Sequence, residues 1–182
     1  MKKIDLDTYL FVIEDFFSHT ECDDYILWSE QKGYEEAKVQ LDGNQVTLKS
    51  VRNNSRITFK DEKMANLIWD QFKGFAVKNF ANSEVTGLNE MFRFYKYEVG
   101  QRFKKHIDGS YIRNNEEASY FTLMIYLNDD FEGGETTFPH HTIKPKKGTA
   151  VIFYHGIKHS GEEVKQGVKY VLRTDIMYKL IK

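Results

Sequence analysis

The chain contains 182 residues, and its 26 Lys and Arg residues nearly balance its 27 Asp and Glu residues, so the formal net charge is −1. This length suits one domain with a single buried core, which we predict over residues 1–182. The neutral balance excludes a global field that would attract nucleic acid or an anionic membrane. We therefore expect no nucleic-acid or membrane partner.

The composition also bears on the compartment. The only cysteine, Cys22, cannot form an internal disulfide, which favours a reducing environment. The first residues are interrupted by Asp5 and Asp7 and contain no signal-peptide core. No apolar run approaches the roughly 20 residues that a spanning helix needs. We therefore expect a soluble, cytoplasmic protein.

The first part of the chain predicts short strands around one helix. Residues Tyr9 to Ile13 read as a strand, and a helix is predicted from Thr20 to a stop at Gly33. The triplet Asp42-Gly43-Asn44 predicts a turn between two short strands, and Arg56 to Phe59 predicts a further strand.

A second helix is predicted from Asp61 to Lys73, closed by Gly74. Its apolar residues recur at helical spacing, which indicates core packing rather than a cofactor site. They are Met64, Leu67, Ile68, Trp69 and Phe72.

After Gly87 the pattern changes to strands separated by Gly and Asp or Asn turns. Strands at such intervals favour a sandwich or a barrel. The predicted fold class is therefore mostly β with flanking helices (α+β). The predicted strands are Met91 to Tyr97, Phe103 to Asp108, Tyr120 to Asn128, Thr136 to Phe138, Ala150 to Tyr154, and Tyr170 to Tyr178.

The most informative residues are His106 and Asp108, in a His-x-Asp motif, and His159, which lies 53 positions later. Residues two apart on a strand point to the same side, so the imidazole and the carboxylate can reach one point that a distant histidine completes. Two imidazoles and one carboxylate on one face of a cation leave other positions open, as in non-haem Fe(II) oxygenases. The other histidines are expected to be structural or solvated: His19, His140, His141 and His155.

The order of motifs around these three residues is specific. It resembles that of the 2-oxoglutarate- and Fe(II)-dependent dioxygenases, and within them the prolyl 4-hydroxylase catalytic domain. The resemblance runs from about Met91 to Tyr178. Besides the His-x-Asp motif and His159, the matching elements are Tyr97, Tyr126-Leu127-Asn128, Gly133-Gly134-Glu135-Thr136-Thr137-Phe138-Pro139, Gly148 and Gly167-Val168-Lys169.

The resemblance implies a double-stranded β-helix (jelly-roll, cupin-like) over residues 88–182, with residues 1–87 as a support of helices and strands. The two helices would pack outside the larger sheet. It also implies Fe(II), 2-oxoglutarate and O2 as metal and cosubstrates, with ascorbate as an accessory reductant. The implied reaction hydroxylates a C–H bond and releases succinate and CO2.

A buried cosubstrate carboxylate needs a cation, because an unpaired buried charge is costly. Carried over by position, Lys169 matches the family's lysine and is favoured over Arg173, which shares its strand face. The resemblance further implies that Tyr126 and Tyr97 lie at the cosubstrate, and Thr137 could add a hydroxyl.

The substrate is expected to be a peptide or protein side chain, most plausibly proline. It would bind beside two polar segments, Lys38 to Arg56 and Gly109 to Ser119, which we expect to be mobile without substrate. A free amino acid or other small molecule is the alternative. Nucleic-acid repair, a non-enzymatic binding role and zinc hydrolysis are the remaining alternatives, and the sequence indicates no oligomeric state.

Overall fold

The computed structural model describes residues 1–36, 39–41, 44–46 and 53–181. Within these residues the chain forms two helices and eighteen strands, which confirms the predicted mostly β architecture with flanking helices. The helices are α1 (His19–Lys32) and α2 (Glu62–Phe72). The strands up to residue 88 are β1 (Lys2–Asp7), β2 (Leu10–Glu14), β3 (Glu35–Glu36), β4 (Val39–Leu41), β5 (Asn44–Val46), β6 (Ser55–Lys60), β7 (Asn79–Phe80) and β8 (Ser83–Leu88). The later strands are β9 (Met91–Tyr97), β10 (Phe103–His106), β11 (Glu117–Tyr126), β12 (Glu132–Gly133), β13 (Thr136–Thr137), β14 (Thr142–Ile143), β15 (Ala150–Tyr154), β16 (His159–Gly161), β17 (Val164–Gln166) and β18 (Lys169–Leu180).

Helix α1 begins one residue before the predicted Thr20, because Ser18 caps it. The Ser18 hydroxyl accepts a hydrogen bond from the Glu21 backbone N–H, and the Glu21 carboxylate accepts one from the Ser18 N–H. This reciprocal pair satisfies two donors that a helix start otherwise leaves unpaired. The helix ends at the predicted Gly33, whose φ of 80° lies in the left-handed region.

Helix α2 begins at Asp61, whose carboxylate accepts from the Met64 N–H at 2.9 Å. Met64, Ile68 and Phe72 are buried as predicted, whereas Leu67 is 69% exposed. Including Leu67 in the core stripe was therefore wrong. Ala65 occupies the buried edge of the stripe instead.

Two main sheets face each other. The larger has the order β1-β2-β15-β11-β18-β9-β6-β3, with β8 also paired to β18 and β7 paired to β8. The smaller has the order β10-β16-β13-β14. Strand β18 therefore lies inside the large sheet, between β11 and β9. Its side chains alternate between the two faces of that sheet.

Both faces of the large sheet are covered at its centre, where β2 and β15 are each buried at four consecutive residues. The helix-side cluster lies between this sheet and the helices and includes Phe16, Ile68, Phe72, Phe92, Phe121 and Ile152. The inter-sheet cluster lies between the large and small sheets and includes Tyr95, Tyr97, Tyr126, Phe138, Phe153 and Val171.

Strand β1 was not predicted, and it extends the edge of the large sheet by pairing with β2. The strands predicted to flank the Asp42-Gly43-Asn44 turn are present as β4 and β5, which pair in antiparallel register. Asp42 and Gly43, and most of the predicted segment Lys38 to Arg56, lie outside the described residues. Over the described part of the chain, neither helix is long and apolar enough to span a membrane.

Candidate active site

The side chains of His106, Asp108 and His159 meet where β10 pairs with β16. His106 ends β10, His159 begins β16, and the two lie directly opposite each other in antiparallel register. Asp108 follows β10 by two residues, and its backbone N–H donates to the His155 carbonyl at 3.1 Å. One potential ligand atom from each of the three residues lies within 4.8 Å of the other two. This donor set fits one divalent cation such as Fe(II).

Backbone carbonyls orient both imidazoles. Nδ1 of His106 lies 2.7 Å from the Lys104 carbonyl oxygen, and Nδ1 of His159 lies 3.0 Å from the Ile157 carbonyl oxygen. A proton on each Nδ1 satisfies these contacts and leaves Nε2 free to bind a metal. The two Nε2 atoms lie 3.7 and 3.9 Å from the oxygens of Asp108.

The protonation states suit metal binding. Burial lowers the pKa of His159 to about 4, so its imidazole is neutral at pH 7. Burial alone would raise the pKa of Asp108, but the Arg173 guanidinium, with the His106 side chain, holds that pKa well below its ordinary value. The carboxylate is therefore ionised, as a metal ligand must be.

Aromatic rings fix the two histidines. The Phe103 ring stacks on His106 with centroids 3.5 Å apart. The Phe153 ring meets His159 edge-on at 4.5 Å, and the Phe138 ring stacks on it at 5.7 Å. These contacts limit ring rotation and make the surroundings of the histidines apolar.

Lys169 is buried in the same cavity, 3% exposed, at the start of β18. Its ammonium donates to the Gly134 carbonyl at 2.6 Å and lies 5.4 and 5.3 Å from the ring centroids of Tyr97 and Tyr126. Burial lowers the pKa of Lys169 to about 7. Among the described residues, no ion pair within 4.0 Å involves this lysine. The pocket thus offers a buried cation to an anionic ligand.

Gly134 makes room for this lysine. Its φ is +66°, and a Cβ built on it would lie 3.1 Å from Lys169 Cδ and 2.9 Å from the Phe131 ring. Both the positive φ and the space favour glycine here, since a larger residue would displace the lysine.

Tyr97 and Tyr126 lie beside Lys169, as the resemblance implied, and are buried in the inter-sheet cluster. The Tyr126 hydroxyl donates to Thr136 Oγ1 at 2.7 Å. Thr136 lines the cavity, whereas Thr137 does not. The hydroxyl that faces the cavity is therefore that of Thr136 and not that of Thr137, because neighbouring residues of a strand point to opposite faces.

Arg173 lines the same cavity but already has anionic partners. Its Nη1 lies 3.0 Å from Asp108 Oδ1, and its Nη2 lies 3.1 Å from Asp175 Oδ1. The two cations of β18 thus differ: Lys169 contacts only neutral groups at close range, and Arg173 is held between two carboxylates.

The sequence of residues 92–174 matches the family model described as "2OG-Fe(II) oxygenase superfamily". The chain is 24% identical over 169 residues to "Probable prolyl 4-hydroxylase 7" of Arabidopsis thaliana, covering 80% of this chain and 52% of the relative. It is 27% identical over 184 residues to "Putative prolyl 4-hydroxylase" of Acanthamoeba polyphaga mimivirus, covering 88% of this chain and 71% of the relative. These matches support a prolyl 4-hydroxylase-like 2OG-Fe(II) oxygenase domain. It spans about half the length of the Arabidopsis relative.

Solved structures of this domain type share the fold. The 2OG complex of the viral collagen prolyl hydroxylase from Paramecium Bursaria Chlorella virus-1 superposes with a TM-score of 0.65 at 23% identity, covering 94% of this chain and 97% of the viral one. A prolyl hydroxylase from Trichoplax adhaerens, in complex with a hypoxia inducible factor oxygen degradation domain peptide fragment, superposes with a TM-score of 0.70 at 18% identity, covering 92% and 83%. The two-sheet core is therefore the double-stranded β-helix that the resemblance implied.

Several residues of the oxygenase site had no motif to mark them, but alternation along strands could have found them. Thr122 and Met124 share a face of β11 with Tyr126, and both line the cavity. Asp175 shares a face of β18 with Lys169 and Arg173.

The remaining histidines differ in their surroundings. His155 is 3% exposed, and its Nε2 lies 3.7 Å from Asp175 Oδ1. Burial lowers the pKa of His155, so it is neutral at pH 7. His140 and His141 line a separate groove with Ile157 and Lys158. None of these belongs to the cluster of possible metal ligands in the described residues.

Proposed function

We propose that this chain is an Fe(II)- and 2-oxoglutarate-dependent dioxygenase that hydroxylates a C–H bond and releases succinate and CO2. The observation that carries this proposal is one cavity that contains His106, Asp108 and His159 together with the buried Lys169. A zinc hydrolase would also use His106, Asp108 and His159, but its reaction would not require a buried cation with no anionic partner at close range.

In this proposal His106, Asp108 and His159 hold Fe(II), which supplies O2 activation and C–H oxidation when bound. Lys169 would exchange its contact with the Gly134 carbonyl for the far carboxylate of 2-oxoglutarate. The exchange replaces a neutral acceptor by an anion, so it stabilises the protonated lysine.

The tyrosines would complete the cosubstrate pocket. Burial raises the pKa of Tyr126, so its hydroxyl keeps its proton and can donate to a carboxylate oxygen after leaving Thr136. The ring faces of Tyr97 and Tyr126 meanwhile stabilise the Lys169 ammonium by cation–π attraction.

The substrate we propose is a peptidyl proline. The relatives carry prolyl 4-hydroxylase in their names, and a neighbouring structure holds a peptide. In this chain, two exposed apolar side chains lie close to the ligands in sequence: Ile107, between His106 and Asp108, is 57% exposed, and Ile112 is 72% exposed. They would offer an extended peptide an apolar contact on the segment that carries His106 and Asp108.

Residues Gly109 to Ser119, which we expect to be mobile without substrate, contact one another and a neighbouring loop in this conformation. Ile112 bridges to Ala118, and the Tyr111 N–H donates to the Ser119 hydroxyl at 2.8 Å. Arg113 forms ion pairs with Glu117 and Glu90. We therefore propose that this segment is a preformed wall of the substrate groove.

Two further parts of the proposal concern conditions. A cytoplasmic location is supported by Cys22, which is buried with a free thiol. Burial raises the pKa of Cys22 to about 11, so the thiol is unreactive. We also propose ascorbate as the reductant that maintains Fe(II), which assays with and without ascorbate would test.

The decisive experiment incubates the protein with Fe(II), ascorbate, 2-oxoglutarate and a panel of proline-containing peptides. Mass spectrometry should detect one added oxygen on proline, with an equal amount of succinate, and Asp108→Ala should give neither. An added oxygen on free proline or another small molecule, with peptides inert, would support the small-molecule alternative. Absence of succinate with every substrate would reject the dioxygenase assignment.

A further inference from the structure

A row of buried charges extends from Asp108 away from the proposed metal site. Arg173 bridges Asp108 and Asp175 with N–O distances of 3.0 and 3.1 Å. Arg93, on the neighbouring strand β9, lies 3.2 Å from the other oxygen of Asp175 and is 20% exposed. The row alternates acid and base and ends near solvent.

Both oxygens of the Asp108 carboxylate have protein partners. Oδ1 forms an ion pair with Arg173 Nη1 at 3.0 Å, and Oδ2 accepts a hydrogen bond from the Thr122 hydroxyl at 2.6 Å. Thr122 Oγ1 in turn lies 3.4 Å from Arg173 Nη2. A carboxylate held at both oxygens by two linked donors cannot rotate freely about its Cβ–Cγ bond.

The rest of the row keeps Arg173 in place. A buried guanidinium requires anionic partners on its donors, and Asp175 supplies the second one. The Tyr95 side chain also hydrogen bonds to Arg173. Arg93 then compensates the charge of Asp175, so no member of the row is left as an isolated buried charge.

We propose that Arg173 is a positioning residue that holds the Asp108 carboxylate in its metal-binding orientation, and not a cosubstrate-binding residue. This inference rests on the proposed function, because it takes Asp108 to be a metal ligand. Removing a side chain that contacts a metal ligand typically lowers the metal affinity by roughly 10–100-fold.

The test is a titration of the metal-free protein with Co(II), in which the visible absorption of the bound ion is measured. Arg173→Gln should weaken Co(II) binding by roughly 10–100-fold and change the absorption spectrum. Arg173→Lys should recover part of the affinity, since a point charge can pair with Asp108 but cannot span both acids. The matched control is Arg93→Gln, which removes one positive charge from the same row without touching Asp108. It should bind Co(II) with wild-type affinity and spectrum.

Unchanged affinity and spectrum in Arg173→Gln would overturn the proposal. Equal losses in Arg173→Gln and Arg93→Gln would also overturn it, because they would indicate only a structural need for charge balance. If Arg173→Gln fails to fold, Arg173→Lys decides between the same outcomes. If the wild-type protein binds Co(II) through His106 but makes no succinate, the proposed function is rejected and the Arg173 comparison remains valid. If the wild-type protein binds no Co(II), the proposed function and the role of Arg173 are both rejected.

Discussion

The helix-side and inter-sheet clusters use the same strands but bury different chemistry. The helix-side cluster is apolar and rich in aromatic rings. The inter-sheet space also contains Asp108, His159, Lys169, Arg173 and Asp175. Burying charges costs stability unless each is paired, and Lys169 is not paired with an acid at close range. The comparison suggests that one face of the large sheet stabilises the fold and the other is adapted to ligands.

The largest expected effect tests the ligand side of this comparison. Asp108→Ala removes the carboxylate of the candidate metal site. Metal affinity should fall by more than roughly 100-fold, beyond the loss from removing a ligand's partner. Co(II) titration and succinate formation measure the effect, while circular dichroism checks that the fold is retained. Full activity in Asp108→Ala would reject the assignment of the metal ligands.

The second prediction separates stability from ligand binding at one residue. Lys169→Met should weaken 2-oxoglutarate binding by roughly 100-fold or more, because the cosubstrate carboxylate would be buried without a cation. The free protein should become more stable, because an apolar side chain replaces a buried amine that has no acid partner at close range. Calorimetric titration of the metal-loaded protein and chemical denaturation measure the two effects.

Arg173 provides the contrast for Lys169. Arg173→Ala should change cosubstrate affinity less than Lys169→Ala does when both proteins are saturated with metal. The opposite order would transfer the cosubstrate role to Arg173.

The third prediction tests the helix-side cluster. Phe72 is fully buried between α2 and the large sheet, so Phe72→Ala should lower the free energy of unfolding by about 3–5 kcal/mol. The Co(II) affinity of the remaining folded protein should stay unchanged, because Phe72 packs on the opposite side of the sheet from the site. A specific loss of metal binding would show that the two faces are coupled.

The fourth prediction concerns pH. The pKa of Lys169 is about 7 in the free protein, and a bound carboxylate would favour its protonated form. The affinity for 2-oxoglutarate should therefore fall about tenfold per pH unit above pH 7. Lys169→Arg, where it binds cosubstrate, should show no such slope, since arginine stays charged. A flat wild-type profile between pH 7 and 9 would contradict the low pKa of this lysine.

The same group predicts how stability depends on pH. Folding lowers the pKa of Lys169 from 10.5 to about 7, so between these values the unfolded chain binds a proton that the folded chain does not. The contribution of Lys169 to unfolding free energy therefore rises with pH across this window. The rise should be present in the wild type and absent in Lys169→Met, as measured by denaturation at several pH values.

Strand-like segments separated by Gly and Asp or Asn turns predicted the strands β9, β11, β15 and β18 of the large sheet. The sequence also placed His106 and Asp108 on one side of a strand. It could not set the register that brings His159 opposite His106, since this pairing includes an irregularity between Phe103 and His106. Such a bulge depends on contacts between residues far apart in sequence.

The roles of Lys169 and Arg173 could not be assigned from the sequence alone. Sequence spacing placed Lys169 and Arg173 on one face of β18, but the choice between their roles depends on which groups lie opposite. Asp108 reaches Arg173 from another part of the chain, whereas Lys169 meets two tyrosine rings and a backbone carbonyl. Thr136 rather than Thr137 lines the cavity for a simpler reason, since a shift of one residue reverses the face of a strand.

The smallest expected effect sharpens the description of the helix-side cluster. Leu67 has the helical spacing of a core residue, yet it is 69% exposed, so Leu67→Ala should change the free energy of unfolding by no more than about 0.5 kcal/mol. Ile68→Ala is the matched control, because Ile68 is the next residue of the same helix and is 2% exposed, and it should cost about 2–5 kcal/mol. Denaturation of both variants under one set of conditions gives the comparison. A loss at Leu67 as large as that at Ile68 would mean that the exposed face of α2 is covered in solution, and that the helix-side cluster extends beyond the contacts described here.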